Sequence, residues 1–246
     1  MPRITLLILL VPALAAAQTG EEIIKKMDEN MTFKTRTATC SLTSHKPGAA
    51  PDVRTLRMWA RGWDDSFSEF QSPARDKGVK YLKLQKSLYM YLPRTEKVVT
   101  ISGHMLRQSV MDSDFSYEDM LESRALLNDY NVKVLGSEPM LGEDSWQLEL
   151  TAKREDVTYP KRKMWVGKKT YIPLRTERYA ASGQLLKVMS SEGVTAVKGG
   201  RYYPMKWTME DKMRKGTKSV LSFDDIQFDA AVDDGLFSRR NLMKGN

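Results

Sequence analysis

From Thr35 to Phe228 the chain keeps returning to a period of two. Ala38, Cys40 and Leu42 alternate with polar residues, as do Leu56, Met58 and Ala60, then Leu88, Met90 and Leu92, then Trp146, Leu148 and Leu150. Each run is short and ends at a turn signal: His45 to Pro51, Gly62 to Asp65, Ser182-Gly183, Gly199-Gly200, Lys215-Gly216. A two-residue period sends alternate side chains to opposite faces. The pattern therefore predicts about ten to twelve antiparallel strands at hairpin spacing, in a barrel or a strongly curved sheet. No composition shift, linker or repeat divides the chain, so one domain over 18–246 is expected.

One helix precedes the strands and a second interrupts them. Thr19-Gly-Glu-Glu22 is a capping box, and Ile23, Ile24, Met27 and Met31 follow on one face, predicting a helix from Gly20 to Met31. The second is capped at Ser116 with Asp119 three residues on, has Phe115 and Met120 at the staple positions, and runs through Leu121, Ala125 and Leu126 to about Leu127. A flat sheet would give their apolar faces nothing concave to fill. The stretch Tyr89 to Leu121 leads into the second helix. It begins as a strand, breaks at Pro93, resumes with Val98, Val99 and Ile101, and leaves regular structure at Gly103. The irregular part carries Met105, Leu106, Val110 and Met111, which predicts a lid lying over an apolar surface.

The first seventeen residues read as a secretory leader: basic Met1-Pro2-Arg3, the apolar run Ile4 to Leu14, and Ala15-Ala16-Ala17, with cleavage after Ala17. No cysteine follows the cut, so a lipoprotein processing signal is absent, and a bacterial periplasm is the simplest destination. The net charge of +8 falls to +7 without Arg3. The basic residues are spread along strands and not interleaved with stacking aromatics, so nucleic acid is not an expected partner.

Chemistry finds little footing. The two histidines, His45 and His104, have no neighbouring ligand at metal-site spacing, and no metal or other cofactor is expected. Phosphate-loop, nucleophile-elbow and dinucleotide motifs are missing, and Lys215 to Ser219 reads as a plain hairpin turn. The pairs Asp64-Asp65, Asp224-Asp225 and Asp233-Asp234 lack the separation that acid–base work needs. Cys40, the single cysteine, sits on an apolar strand face and reads as core. The chain is read as a non-enzyme. Its fifteen methionines fit a deformable apolar surface.

Several short motifs, in order, carry a family resemblance. They are Tyr91-Leu92-Pro93, Val98 and Ile101, and Met111-Asp-Ser-Asp-Phe-Ser-Tyr-Glu-Asp119. In the second half come Met164-Trp165-Val166, Tyr171-Ile-Pro-Leu-Arg175, Ser182-Gly183 with Leu185-Leu186-Lys187, Tyr203-Pro204, and Asp225-Ile226 with Phe228-Asp229. Over Thr19 to Phe237 the chain resembles the LolA-like outer-membrane lipoprotein-sorting family. One departure is Asp112, where the family motif has glycine. The resemblance implies a half-open β-barrel with helices on its concave side. It also implies a periplasmic carrier of lipoproteins or lipids, often working beside an inner-membrane exporter of the resistance-nodulation-division (RND) type and an outer-membrane acceptor.

The expected groove and lid residues are Met58, Leu82, Leu84, Leu88, Met90, Met105, Leu106, Met111, Phe115 and Leu121. Arg94, Lys97 and Arg107 are expected at the mouth, facing a head group or partner. The expected function is a carrier of lipoprotein acyl chains or other lipid. The alternative is a sensor that detects such a ligand with the same fold; a sensor usually needs a second interaction domain, and this chain ends soon after the barrel.

Overall fold

The structure, a computed structural model, describes residues 18–122 and 126–244. The leader and Ala125 lie outside the described residues. Helix α1 spans Gly20–Met31 and opens with the Thr19–Glu22 capping box. Strands β1 (Thr35–His45), β2 (Asp52–Arg61), β3 (Asp65–Ser72), β4 (Lys80–Leu84), β5 (Ser87–Leu92) and β6 (Lys97–Ile101) follow as a meander. Two 3-10 turns, Gly103–Arg107 and Val110–Asp112, lead to the short helices α2 (Tyr117–Leu121) and α3 (Leu126–Asp129). The second meander is β7 (Tyr130–Met140), β8 (Glu143–Ala152), β9 (Lys161–Gly167), β10 (Pro173–Tyr179), β11 (Leu185–Val197), β12 (Arg201–Asp211) and β13 (Lys218–Phe228). The chain closes with α4 (Arg239–Leu242).

All thirteen strands form one antiparallel sheet, ordered β6-β5-β4-β3-β2-β1-β13-β12-β11-β10-β9-β8-β7. The first and last strands, β1 and β13, are neighbours near its middle, so β6 and β7 are its two edges. Of the residues that join them in sequence, the described ones, 102–122 and 126–129, lie across the concave side. Strand twist and bulges such as those at Thr39/Cys40 and Thr55/Leu56 bend the sheet into an open trough.

Two strands run through residue types that usually interrupt a strand. Pro139 lies within β7, an edge strand, where its missing N–H removes no ladder bond. Gly193 lies within β11 with φ +62, a left-handed bend that glycine takes without steric cost.

Three apolar clusters organise the packing. On the concave side, Ile23, Ile24 and Met27 of α1 meet Leu126, Tyr130, Leu148, Leu150, Met164 and Val166. The four apolar residues of α1 are fully buried, each contributing about 1.5–3 kcal/mol relative to exposure. The Asn30 amide fixes the helix end, accepting from the Tyr202 N–H at 2.8 Å and donating to the Tyr202 carbonyl at 3.1 Å. A larger concave cluster joins Met31 and Phe33 to Cys40, Phe70, Tyr81, Val110, Tyr117 and Tyr203. The third cluster lies on the other face, where Val232, Leu236, Phe237 and Leu242 cover Phe67, Leu82 and Tyr91.

The start of α1 leaves no room for a side chain: a Cβ on Gly20 would meet Val132 Cγ1 at 2.7 Å and the Val132 carbonyl oxygen at 3.2 Å. Gly20→Ala is expected to destabilise by about 1–3 kcal/mol despite alanine's better helix propensity. Equilibrium denaturation checks this, and a stabilised variant would mean that α1 seats less tightly.

Candidate functional site

Between the inner face of the sheet and the crossing segment lies a cavity of about 270 Å³. Its apolar wall includes Leu42, Leu56, Met58, Phe70 and Tyr81 on one half of the sheet and Met164, Met189, Trp207, Met209 and Leu221 on the other. Met27 of α1 closes one side, and Val110, Phe115, Met120 and Leu126 of the crossing segment form the cover. Each strand contributes alternate residues, as the period of two requires.

The expected groove residues divide three ways. Met58 and Phe115 line the cavity. Leu88, Met90, Met105, Leu106, Met111 and Leu121 pack in the surrounding concave cluster without reaching the cavity wall. Leu82 and Leu84 correct the expectation: they point to the opposite face, against Phe237 and Leu242. In β4 it is Tyr81 and Lys83 that face the cavity. Both faces of this strand are covered, so its hydrophobicity does not reveal which is inner, and a one-residue slip exchanges them. Arg94, Lys97 and Arg107 are exposed, the first two at the β5–β6 hairpin and the third in the first 3-10 turn.

Residues 111–119, the segment that carries the resemblance, hold the cover in place. Met111 and Asp112 both take left-handed backbone, at φ 50 and φ 59. Asp112 thus occupies a conformation that suits glycine and that aspartate tolerates better than most residues. Its carboxylate, paired with Lys46, is held below the usual pKa by that contact. Asp114 is buried and accepts from Ser219 Oγ at 2.6 Å and from Thr217 Oγ1, which fastens the segment to β13. The Tyr117 and Tyr81 hydroxyls lie 3.3 Å apart, joining α2 to β4.

A buried ionic cluster fastens the far end, and sequence reasoning missed it. Arg178 is the direct cross-strand partner of both Arg162 and Lys187, so three cations stand in a row on the inner face of β9, β10 and β11. Like charges directly opposite repel, and the row is neutralised from above. Glu122 pairs with Arg162 and, at 2.7 Å, with Arg178. Asp119 pairs with Lys187 and accepts from the Tyr159 hydroxyl at 3.0 Å and the Ser116 N–H at 2.8 Å. Arg162, Arg178 and Asp119 keep 6%, 3% and 4% of their side-chain surface exposed. Asp119 is legible in sequence only as a capping residue. Arg162 and Arg178 stand in phase with Met164 and Thr176, and a charge at an inward position is the signal that could have found them.

Burial pushes the Asp119 pKa up, but Arg178, Lys187 and the Ser116 N–H outweigh it and hold the carboxyl below its usual value. Burial and the adjacent Arg178 disfavour the Arg162 charge, and Asp119 acts against them. Arginine keeps its proton nonetheless, so Arg162 stays charged at neutral pH. An acid whose folded pKa is depressed contributes stability that is present above its unfolded value, near 3.9, and lost as pH falls through the folded value. Glu118, raised by burial, has the opposite sign and adds stability when it protonates. Stability is therefore expected to hold or rise slightly from pH 7 down to about 4.5, then fall steeply below about pH 4. Urea melts across pH 7 to 3 check this; a decline starting at pH 6 would contradict it.

Other ionisable candidates stand apart. Cys40 is buried, and burial, with a smaller effect of Asp224, pushes its thiol pKa up to about 12, far from the range of a reactive thiolate. Among the described residues no group of three or more His, Cys, Asp or Glu side chains could hold a metal ion, and no helix is long and apolar enough to cross a membrane.

Comparison with known proteins agrees with this architecture. A family model described as "Uncharacterized protein" matches residues 62–244. No curated protein matches the chain. Among solved structures, a LolA superfamily protein from Nitrosomonas europaea is 26% identical with a TM-score of 0.75, over 92% of this chain and 100% of that one. A DUF1329 family protein from Desulfovibrio piger superimposes with a TM-score of 0.82 at 24% identity, over 91% of this chain and 97% of that one. A putative outer membrane lipoprotein-sorting protein domain from Vibrio parahaemolyticus does so with a TM-score of 0.82 at 22% identity, over 92% and 98%. With an open, curved antiparallel sheet and a segment crossing its concave face, this chain belongs to the LolA-like family.

Proposed function

We propose that the protein is a periplasmic carrier that holds acyl chains of a lipoprotein or another lipid in its concave cavity and passes them toward the outer membrane. The observation that carries this reading is the mostly apolar cavity under a separately fastened cover. Its volume of about 270 Å³ lies just below the range for small-molecule sites, about 300–1,000 Å³. A cavity walled by Met58, Met164, Met189 and Met209 can reshape around a flexible chain. Residues 102–122 are the lid in this reading, and the exposed Arg94, Lys97 and Arg107 are available to a membrane surface or an exporter of the RND type. The leader before Gln18 would direct the single domain 18–246 to the periplasm. The reading is of a binding protein and assigns no catalytic residue.

Native mass spectrometry of protein purified from a Gram-negative envelope tests it, together with titration of a fluorescent acyl probe. Co-purifying lipid, or saturable probe binding at one site, is expected. Finding neither would overturn the reading.

A further inference from the structure

The cavity holds a second polar feature, away from the cluster that fastens the lid. Cross-strand pairing sets Arg36 opposite Ala60, Ala60 opposite Ser66, and Ser66 opposite Lys83. All four line the cavity. The row thus places two cations on one side of the trough floor with two small residues between them. Both cations are buried, and both donate to the turn between β2 and β3: Arg36 Nη2 to the Gly62 carbonyl at 2.7 Å and Lys83 Nζ to the Trp63 carbonyl at 3.0 Å.

Arg36 is the informative member. Its Nη1 donates to the Tyr203 hydroxyl at 3.0 Å, and its guanidinium carbon lies 3.9 Å from the centroid of the Trp63 ring. These partners and the Gly62 carbonyl are all uncharged. Its Nε is buried with no hydrogen-bond partner. Among the described residues no carboxylate pairs with it, whereas Arg162 and Arg178 each have Glu122. A buried charge without a counter-charge is costly, by several kcal/mol, unless something neutralises it. The cavity lining as a whole is cationic, with Arg36, Lys83, Arg162 and Arg178 against Asp119 and Glu122.

We infer that the cavity takes an anionic amphiphile, whose carboxylate or phosphate head sits against Arg36 in the Arg36–Ala60–Ser66–Lys83 row while its acyl chain lies along the apolar wall. The inference rests on the carrier reading and names its ligand chemistry. The guanidinium has donors in a fixed fork that suits a carboxylate or phosphate. Ala60 and Ser66 leave the space beside it open, and Met58 and Phe70 begin the apolar path.

Competition against a bound fluorescent acyl probe tests this with palmitate, 1-palmitoyl lysophosphatidate, palmityl alcohol and inorganic phosphate. The two acidic amphiphiles are expected to bind the wild-type protein at least about tenfold tighter than the alcohol. Inorganic phosphate alone is expected not to displace the probe. Arg36→Gln should abolish the preference, bringing the acidic amphiphiles to the affinity of the alcohol in the same variant, and Arg36→Lys should keep part of it. Equal wild-type affinity for palmitate and palmityl alcohol would overturn the anionic head group and leave the carrier reading standing. Binding of no amphiphile would overturn both. Full displacement by inorganic phosphate would replace the amphiphile with a free anion, and an undiminished preference in Arg36→Gln would remove Arg36 from the site. The wild-type ratio requires no variant, so it decides the question of charge even where Arg36→Gln does not fold.

Discussion

Asp119→Ala is expected to destabilise the protein by about 3–5 kcal/mol, the range for removing one partner of a buried ion pair. The variant loses the pairing to Lys187 and the hydrogen bonds from Tyr159 and the Ser116 N–H together. It also leaves a row of three cations, Arg162, Arg178 and Lys187, facing Glu122 alone. Against a typical total of about 5–15 kcal/mol, this loss is large. Asp119→Asn should recover part of it, since an amide oxygen still accepts from Tyr159 or Ser116 while the charge is gone. Hydrogen exchange in Asp119→Ala should rise first across 103–122, because that stretch loses part of its buried ionic fastening. Chemical denaturation provides the measurement. A loss below about 1 kcal/mol would place the pair among surface-like ion pairs and remove it as the lid's anchor.

Ser68→Phe is expected to reduce acyl-probe affinity by at least about tenfold, or ~1.4 kcal/mol, with little effect on folding. Ser68 lines the cavity between its cross-strand partners Met58 and Tyr81. An aromatic ring there projects into space that the acyl chain would occupy, and it meets a void, not packed neighbours. Filling a void is commonly neutral or stabilising, whereas overpacking a dense core costs about 1–3 kcal/mol. Probe titration and thermal melts must therefore be read together. Unchanged binding with unchanged stability would place the acyl chain elsewhere and count against the proposed function.

The frame was legible in the sequence because both of its periods are strong. The alternation in β1, β2, β5 and β8 and the capped stripe of α1 emerge as read, with α1 covering Gly20–Met31. Strand limits at glycine and proline were not legible, since Pro139 is harmless only on an edge and Gly193 only at a bend, and neither edge nor bend is visible locally. The candidate site was half legible. Its apolar cover at Phe115 followed from caps and composition. The inward face of β4 did not, because the tail around Phe237 returns to cover the other face, and that return is a long-range event. The polar side chains Arg36, Arg162 and Arg178 were hidden by a habit of reading charges as solvated, although each stands in the inward phase of its strand.

The two ends of the cover adjoin β6 and β7, the two opposite edges of the sheet. A flap hinged at one end swings without consulting the rest of the molecule. This segment is also tied between its ends, by Asp114 to β13 and by Asp119 and Glu122 to β9, β10 and β11. Lifting it therefore means breaking these buried contacts as well as moving its ends, so the cavity opens only at the cost of its own ionic cluster.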